Sequence, residues 1–142
     1  MSFENGTLYE MCRYTLANLY SFYKNGKSMN LLAMTDEEIL GEITPIMDNM
    51  MEGYTEINHA KHIQDFTERM KAIVTPDQLE IICNDYQSKW GIFGKREYIA
   101  LFRRRNSIAV VCKQYCTKST DEYVAEPVFV EHDNRLLIDH VY

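Results

Sequence analysis

Residues 98–112 read YIALFRRRNSIAVVC: two runs of aliphatic, aromatic and β-branched residues hinged on a basic turn, Arg103-Arg104-Arg105-Asn106. Runs of this composition bounded by polar residues are strands, and so short a link makes the pair an antiparallel hairpin. Because side chains alternate across a strand, the faces can be assigned. The first run puts Tyr98, Ala100 and Phe102 on one face and Ile99 and Leu101 on the other. The second opposes Ala109 and Val111 to Ile108, Val110 and Cys112. Both faces are apolar, and each large apolar side chain left in water costs about 1.5–3 kcal/mol, so the sheet needs cover on both sides.

Working outward, the same vocabulary recurs at 122–131 and 136–142, which gives a meander of about four strands: 98–104, 107–116, 122–131 and 136–142. Everything before Gly94 has a helical period instead. Thr7 with Glu10, Thr35 with Glu38, and Thr75 with Gln78 each form a capping box, in which a threonine hydroxyl accepts the N3 amide and the N3 side chain reaches back. Leu8, Cys12, Leu16, Leu19 and Tyr23 follow a 3.6-residue repeat up to Asn25-Gly26. A second helix is expected from Asp36 to about Glu52, closed by Gly53 and kinked or restarted at Pro45 with Thr44 as a fresh cap. Asn58 caps a third helix, 59–72, with Ile63, Phe66 and Met70 on one side. The fourth, 76–90, carries Leu79, Ile82, Cys83, Tyr86 and Trp90 and ends at Gly91 and Gly94.

Helices first and an antiparallel sheet after them is an α+β fold. The expected organisation is a helical extension over 1–34 and an α+β domain over 35–142. The helices after Thr35 cover one sheet face. The N-terminal helix or a second copy of the sheet must cover the other, and a homodimer through the outer sheet face is expected.

The chain has 142 residues and a net charge of −6, unevenly spread. Residues 35–72 carry nine acids against three bases, and residues 95–105 carry five bases against one acid. An acidic helical layer and a basic hairpin tip could attract each other across a dimer, or simply be two solvated faces. The basic turn is too local, and the chain too acidic, to suggest a nucleic-acid surface. No stretch approaches the roughly 18 apolar residues of a membrane span. Met1 to Asn5 lacks the basic and apolar runs of a signal peptide, which points to the cytoplasm. Cys12, Cys83, Cys112 and Cys116 have no CxxC spacing, and Cys112 and Cys116 stand about 13 Å apart on one strand, so free thiols are expected.

The order of helices and strands also resembles a known superfamily. Residues 45–53 (PIMDNMMEG), 65–71 (DFTERMK), 74–79 (VTPDQL) and Trp90-Gly91 look like small bacterial members of the NTF2-like (cystatin-like) superfamily. The resemblance implies a strongly curved sheet wrapped around three helices as a cone, with a cavity between sheet and long helix. Members include ketosteroid isomerase-like and dehydratase-like enzymes, ligand-binding modules and domains that only associate, so fold does not decide function.

An isomerase or dehydratase of this type needs a carboxylate in an apolar cavity, where desolvation raises its pKa. Glu126, beside Pro127, is the first candidate for such a base and Asp139 the second, with His132 as partner. The resemblance also implies a tyrosine oxyanion donor on the first long helix, which 36–52 lacks; Tyr54, Tyr86 or Tyr115 would have to stand in. His59, His62 and Asp65, at i, i+3 and i+6, suit a metal, although no fourth ligand is identifiable and exposed helix-start residues read the same way. Met47, Met51, Phe66, Tyr86 and Trp90 are the candidates for an adaptable apolar binding pocket, with plain core packing as the alternative. The expected function is therefore a non-catalytic module binding a small apolar ligand or a protein partner, with no cofactor. A small lyase or isomerase using Glu126 or Asp139 is the rival.

Overall fold

The computed structural model describes residues 29–141. The Thr7 capping box, the helix expected over 8–23, and Cys12 lie outside the described residues. The described elements follow the order read from the sequence: α1 (Asp36–Glu56), α2 (His59–His62), α3 (Glu68–Ile73) and α4 (Pro76–Trp90), then β1 (Phe93–Arg103), β2 (Ser107–Cys116), β3 (Tyr123–Ala125), β4 (Pro127–His132) and β5 (Arg135–Val141). The fold is α+β, with helices preceding an antiparallel sheet.

Helix α1 begins at the Thr35 box, where Thr35 Oγ1 accepts from the Glu38 amide at 3.2 Å and the Glu38 carboxylate accepts from the Thr35 amide at 2.8 Å. Asp36, Glu37 and Glu38 then place negative charge at the positive end of the helix dipole. The helix does not restart at Pro45 but runs through it as one element. Pro45 and Gly41, whose carbonyl loses its donor, both face solvent, where water satisfies the freed group. Gly53 does not close α1 either. A Cβ there would stand 2.5 Å from the His62 backbone nitrogen and 2.7 Å from its Cα. Glycine is thus required by the approach of α2, and the helix ends later, on Ile57 at φ 54°.

The single helix expected over 59–72 is two. Between α2 and α3 the backbone leaves the helix to pair with β5: Thr67 donates to the Ile138 carbonyl at 2.9 Å and Ile138 donates to the Asp65 carbonyl at 2.8 Å. Thr67 then caps α3 through the Met70 amide. The Thr75–Gln78 box opens α4 as read, and Gly91 closes it at φ 80°, where a Cβ would strike the Thr117 hydroxyl at 2.2 Å.

The sheet order is β1-β2-β4-β5, with β3 also on β2. Five strands replace the four expected because the third is broken. Gln114–Tyr123, Cys112–Ala125 and Ala109–Val128 all fall on one register, so β3 and β4 are one strand interrupted at Glu126-Pro127. Proline has no amide to give the ladder there. The expected strong curl is absent. Extra residues sit in the edge strands only, two in β1 (between Phe93 and Arg96, and between Tyr98 and Ala100) and one in β5 opposite Val128 and Phe129. Bending from such bulges stays at the edges while β2 keeps an unbroken alternation of burial.

The bulge at Tyr98/Ala100 corrects the faces read for β1. Tyr98, Leu101 and Arg103 pair with inward-facing Cys112, Val110 and Ile108, whereas Ala100 and Phe102 pair with outward-facing Val111 and Ala109. A single inserted residue reverses the parity of all that follows. The core lies between α1 and the inner sheet face, where Ile39, Ile43, Ile108, Val110, Phe129 and Ile138 are fully buried. Leu31, before α1, packs into the same cluster. On the outer face Phe102 is 59% exposed. The acidic helix and basic hairpin meet within one chain: Arg103 bonds Asp36, and Arg96 reaches Asp48 at 2.5 Å.

Candidate functional site

Beyond the filled part of the core, the helices and sheet separate around a cavity of about 610 Å³. The C-terminal half of α1 lines it with Met47, Met50, Met51 and Tyr54. These residues lie at helical spacing on the face that, one turn earlier, presents Ile43 to the core. Phe66 and Met70 close one side, while Leu79 and Trp90 of α4, with Phe93 and Gln114 of the sheet, close the other. Ile73, Ile82 and Val124 also line the cavity yet are more than half exposed, so they mark its mouth. The lining is almost wholly apolar, and unbranched methionines leave it deformable.

The polar groups in this wall are few. His62 is buried, with Nδ1 2.8 Å from the Met50 carbonyl. Because a carbonyl only accepts, Nδ1 carries the proton and Nε2 presents its lone pair. Burial holds the ring below the usual histidine range against the opposing pull of that hydrogen bond, so it is neutral near pH 7. The ring stacks on Tyr54 at 5.0 Å and meets Phe66 edge-on at 5.1 Å. Tyr54 continues the stack to Tyr86 and Phe93, at 4.9 and 5.6 Å. Burial raises the pKa of both tyrosines. Gln114 projects inward from β2 among Ile108, Val110, Cys112 and Cys116. Its amide nitrogen donates to the carbonyls of Gly94, Lys95 and Tyr115 at 3.2, 3.2 and 2.9 Å, and its Oε1 is buried without a partner. Arg96 lines the cavity as well, paired with Asp48. Cys116 is a buried free thiol whose pKa burial raises, so it stays protonated.

Of the residues singled out from the sequence for an apolar pocket, Met47, Met51, Phe66 and Trp90 line this cavity, and Tyr86 lies behind Tyr54. The carboxylate candidates lie elsewhere. Glu126 sits at the break between Ala125 and Pro127, both of which line the cavity, but is not itself part of the lining. Asp139 is the bulged residue of β5 and accepts from Thr67 Oγ1 at 2.8 Å and from Arg69. Burial pushes its carboxyl up, but Arg69 and Thr67 outweigh this and hold it below the usual range, opposite to what a poised base needs. His132 is exposed on the β4–β5 hairpin, 3.4 Å from Asp133. Tyr115 lies on the outer face between Glu97 and Glu122.

His59, His62 and Asp65 do not converge. His59 Nε2 contacts the Val74 carbonyl at 2.7 Å, His62 turns to Met50, and Asp65 pairs with Arg135 at 3.5 Å. The split between α2 and α3 removes the common helical face that their spacing implied. Among the described residues no group of three or more His, Cys, Asp or Glu side chains is placed to hold a metal ion. No described helix is long and apolar enough to cross a membrane.

Sequence reading overlooked Gln114 and valued His62 for metal. The signal for Gln114 was present: a polar residue in phase with the buried positions of a strand.

No protein-family profile matches the chain, and no curated protein matches it. Among solved structures, the fold is similar to the solution structure of a SEC-C motif containing protein from Rhodopseudomonas palustris. The two share 8% identity at a TM-score of 0.45, over 80% of this chain and 98% of that one. At that level of likeness nothing is transferred from that protein to this one.

Proposed function

We propose that this protein is a non-catalytic, NTF2-like module, flatter than the superfamily's cone, that holds a small apolar ligand in the cavity between α1 and the sheet. The observation that carries this reading is a void of about 610 Å³ walled by methionines and aromatics with an apolar mouth. A volume of that size falls within the range of small-molecule pockets. Non-catalysis is supported by the absence of Glu126 and Asp139 from the cavity lining, which leaves the lyase or isomerase alternative without the carboxylate base it requires.

Titration with the apolar dye N-phenyl-1-naphthylamine tests the reading. Saturable fluorescence near one dye per chain is expected, and Met51→Trp, which partly fills the chamber, should weaken it about tenfold, or roughly 1.4 kcal/mol. Absence of saturable binding, or equal binding by the filled variant, would refute it.

The homodimer belongs to the same proposal. Its support is the apolar row Phe102, Ala109 and Val128 running across three strands on the outer face. Light scattering at micromolar concentration should give twice the chain mass, reduced to one chain mass by Phe102→Lys. A wild-type monomer would remove this part.

A further inference from the structure

We propose that the ligand is an uncharged apolar molecule bearing a hydrogen-bond donor, an O–H or N–H, which is received by Gln114 Oε1. This rests on the reading of the cavity as a ligand chamber and adds the chemistry of its occupant.

Gln114 is 3% exposed and stands in the cavity wall, at an inward position of β2 otherwise filled by apolar residues and thiols. Its amide has one orientation. Three backbone carbonyls surround Nε2, and exchanging the two ends would set a carbonyl oxygen against three others. The oxygen is thereby fixed as the free end, and no described residue donates to it. A buried acceptor without a donor is unfavourable, and a ligand that supplies the donor removes the penalty. Flexible methionine tails in the same lining can yield to let that group approach.

The second polar group of the wall has the same sense. With its proton committed to the Met50 carbonyl, His62 also offers only a lone pair, at Nε2. Both acceptors favour a ligand donor and repel a carboxylate; of the other polar side chains in the lining, Gln78 and Tyr123 bond within the chain and the Tyr54 hydroxyl can donate or accept. Among the described residues the one guanidinium in the lining, Arg96, is already held by Asp48 at 2.5 Å. An anion therefore finds no uncompensated cation, while a neutral alcohol or amide finds complementary chemistry.

The test is displacement of the bound dye from the full-length protein by three probes of equal chain length: 1-decanol, decyl methyl ether and decanoate. Decanol should compete at about tenfold lower concentration than the ether or the carboxylate, because a site built to receive a donor discriminates against an analogue lacking one. In Gln114→Met that preference should fall to within about threefold. Equal competition by the ether or decanoate against wild type would overturn the inference and leave the chamber reading intact, as would an undiminished preference in Gln114→Met. Failure of the dye to bind wild type would sink both. The wild-type comparison of the probes decides the question even if the variant does not fold.

Discussion

The two halves of α1 face the same sheet and do different things with it. The first half contributes Ile39 and Ile43 to the core with Ile108, Phe129 and Ile138; all five are fully buried and none lines the cavity. The second half presents Met47, Met50 and Met51, and the space opens into a chamber of about 610 Å³. Branched side chains with few rotamers make a close-packed end, whereas unbranched methionines with many make a yielding one. The difference teaches that one continuous helix can anchor a fold and wall a cavity.

Truncations should break this comparison first. Phe129→Ala, in the filled end, should cost about 3–5 kcal/mol and Ile43→Ala about 2–5 kcal/mol in urea unfolding. Met51→Ala, beside an existing void, should cost only about 1 kcal/mol, since little new cavity is created. Equal losses at both ends would show the chamber to be packed. Gly53→Ala is next. Its new methyl meets the α2 backbone, and overpacking of about 1–3 kcal/mol outweighs the gain of about 1 kcal/mol in helix propensity. Dye affinity should fall with stability, because His62 is displaced from the wall.

The caps sharpen the picture further. Thr35→Ala and Thr75→Ala should each lose about 1 kcal/mol, with the former acting on the filled end and the latter on α4 at the chamber. Acid should separate the ends as well. His62 has a lowered folded pKa, so below its unfolded value of about 6.5 the unfolded chain binds more protons and stability falls with pH until the folded pKa is reached. Asp139, also lowered, contributes its stability above its unfolded value of 3.8 and loses it only at lower pH. Unfolding measured from pH 7.5 to 5 should therefore show a decline that His62→Gln abolishes and Asp139→Asn leaves in place. The smallest effect is expected at Glu126→Gln, which should leave dye affinity unchanged.

Much of this architecture was legible. Capping boxes located the starts of α1 and α4, and alternation in 107–116 separated the two faces of β2, although it read both as apolar and did not say which is buried. The rest required contacts between distant residues. Gly53 reads as a helix stop unless α2 is known to cross it, and the break after His62 is imposed by Ile138, more than 70 residues on. The single-residue bulge in β1 reversed the faces that simple alternation assigned. At the candidate site, the methionines and aromatics were visible as a class. The carboxylate readings did not find the cavity because the side to which Glu126 turns depends on pairing with β2, and Asp139 on a bulge. Gln114 gave a local signal, a polar residue in an apolar phase, but the orientation of its amide depends on carbonyls of Gly94 and Lys95 in the neighbouring strand.

The most direct test is a methyl-¹³C methionine NMR spectrum recorded while 1-decanol is added. The methyl signals of Met47, Met50, Met51 and Met70, which line the chamber, should move together and saturate, while those of Met29 and Met34, which do not line it, stay in place. Uniform drift of all six, or no movement at the four, would contradict a ligand chamber at the second half of α1.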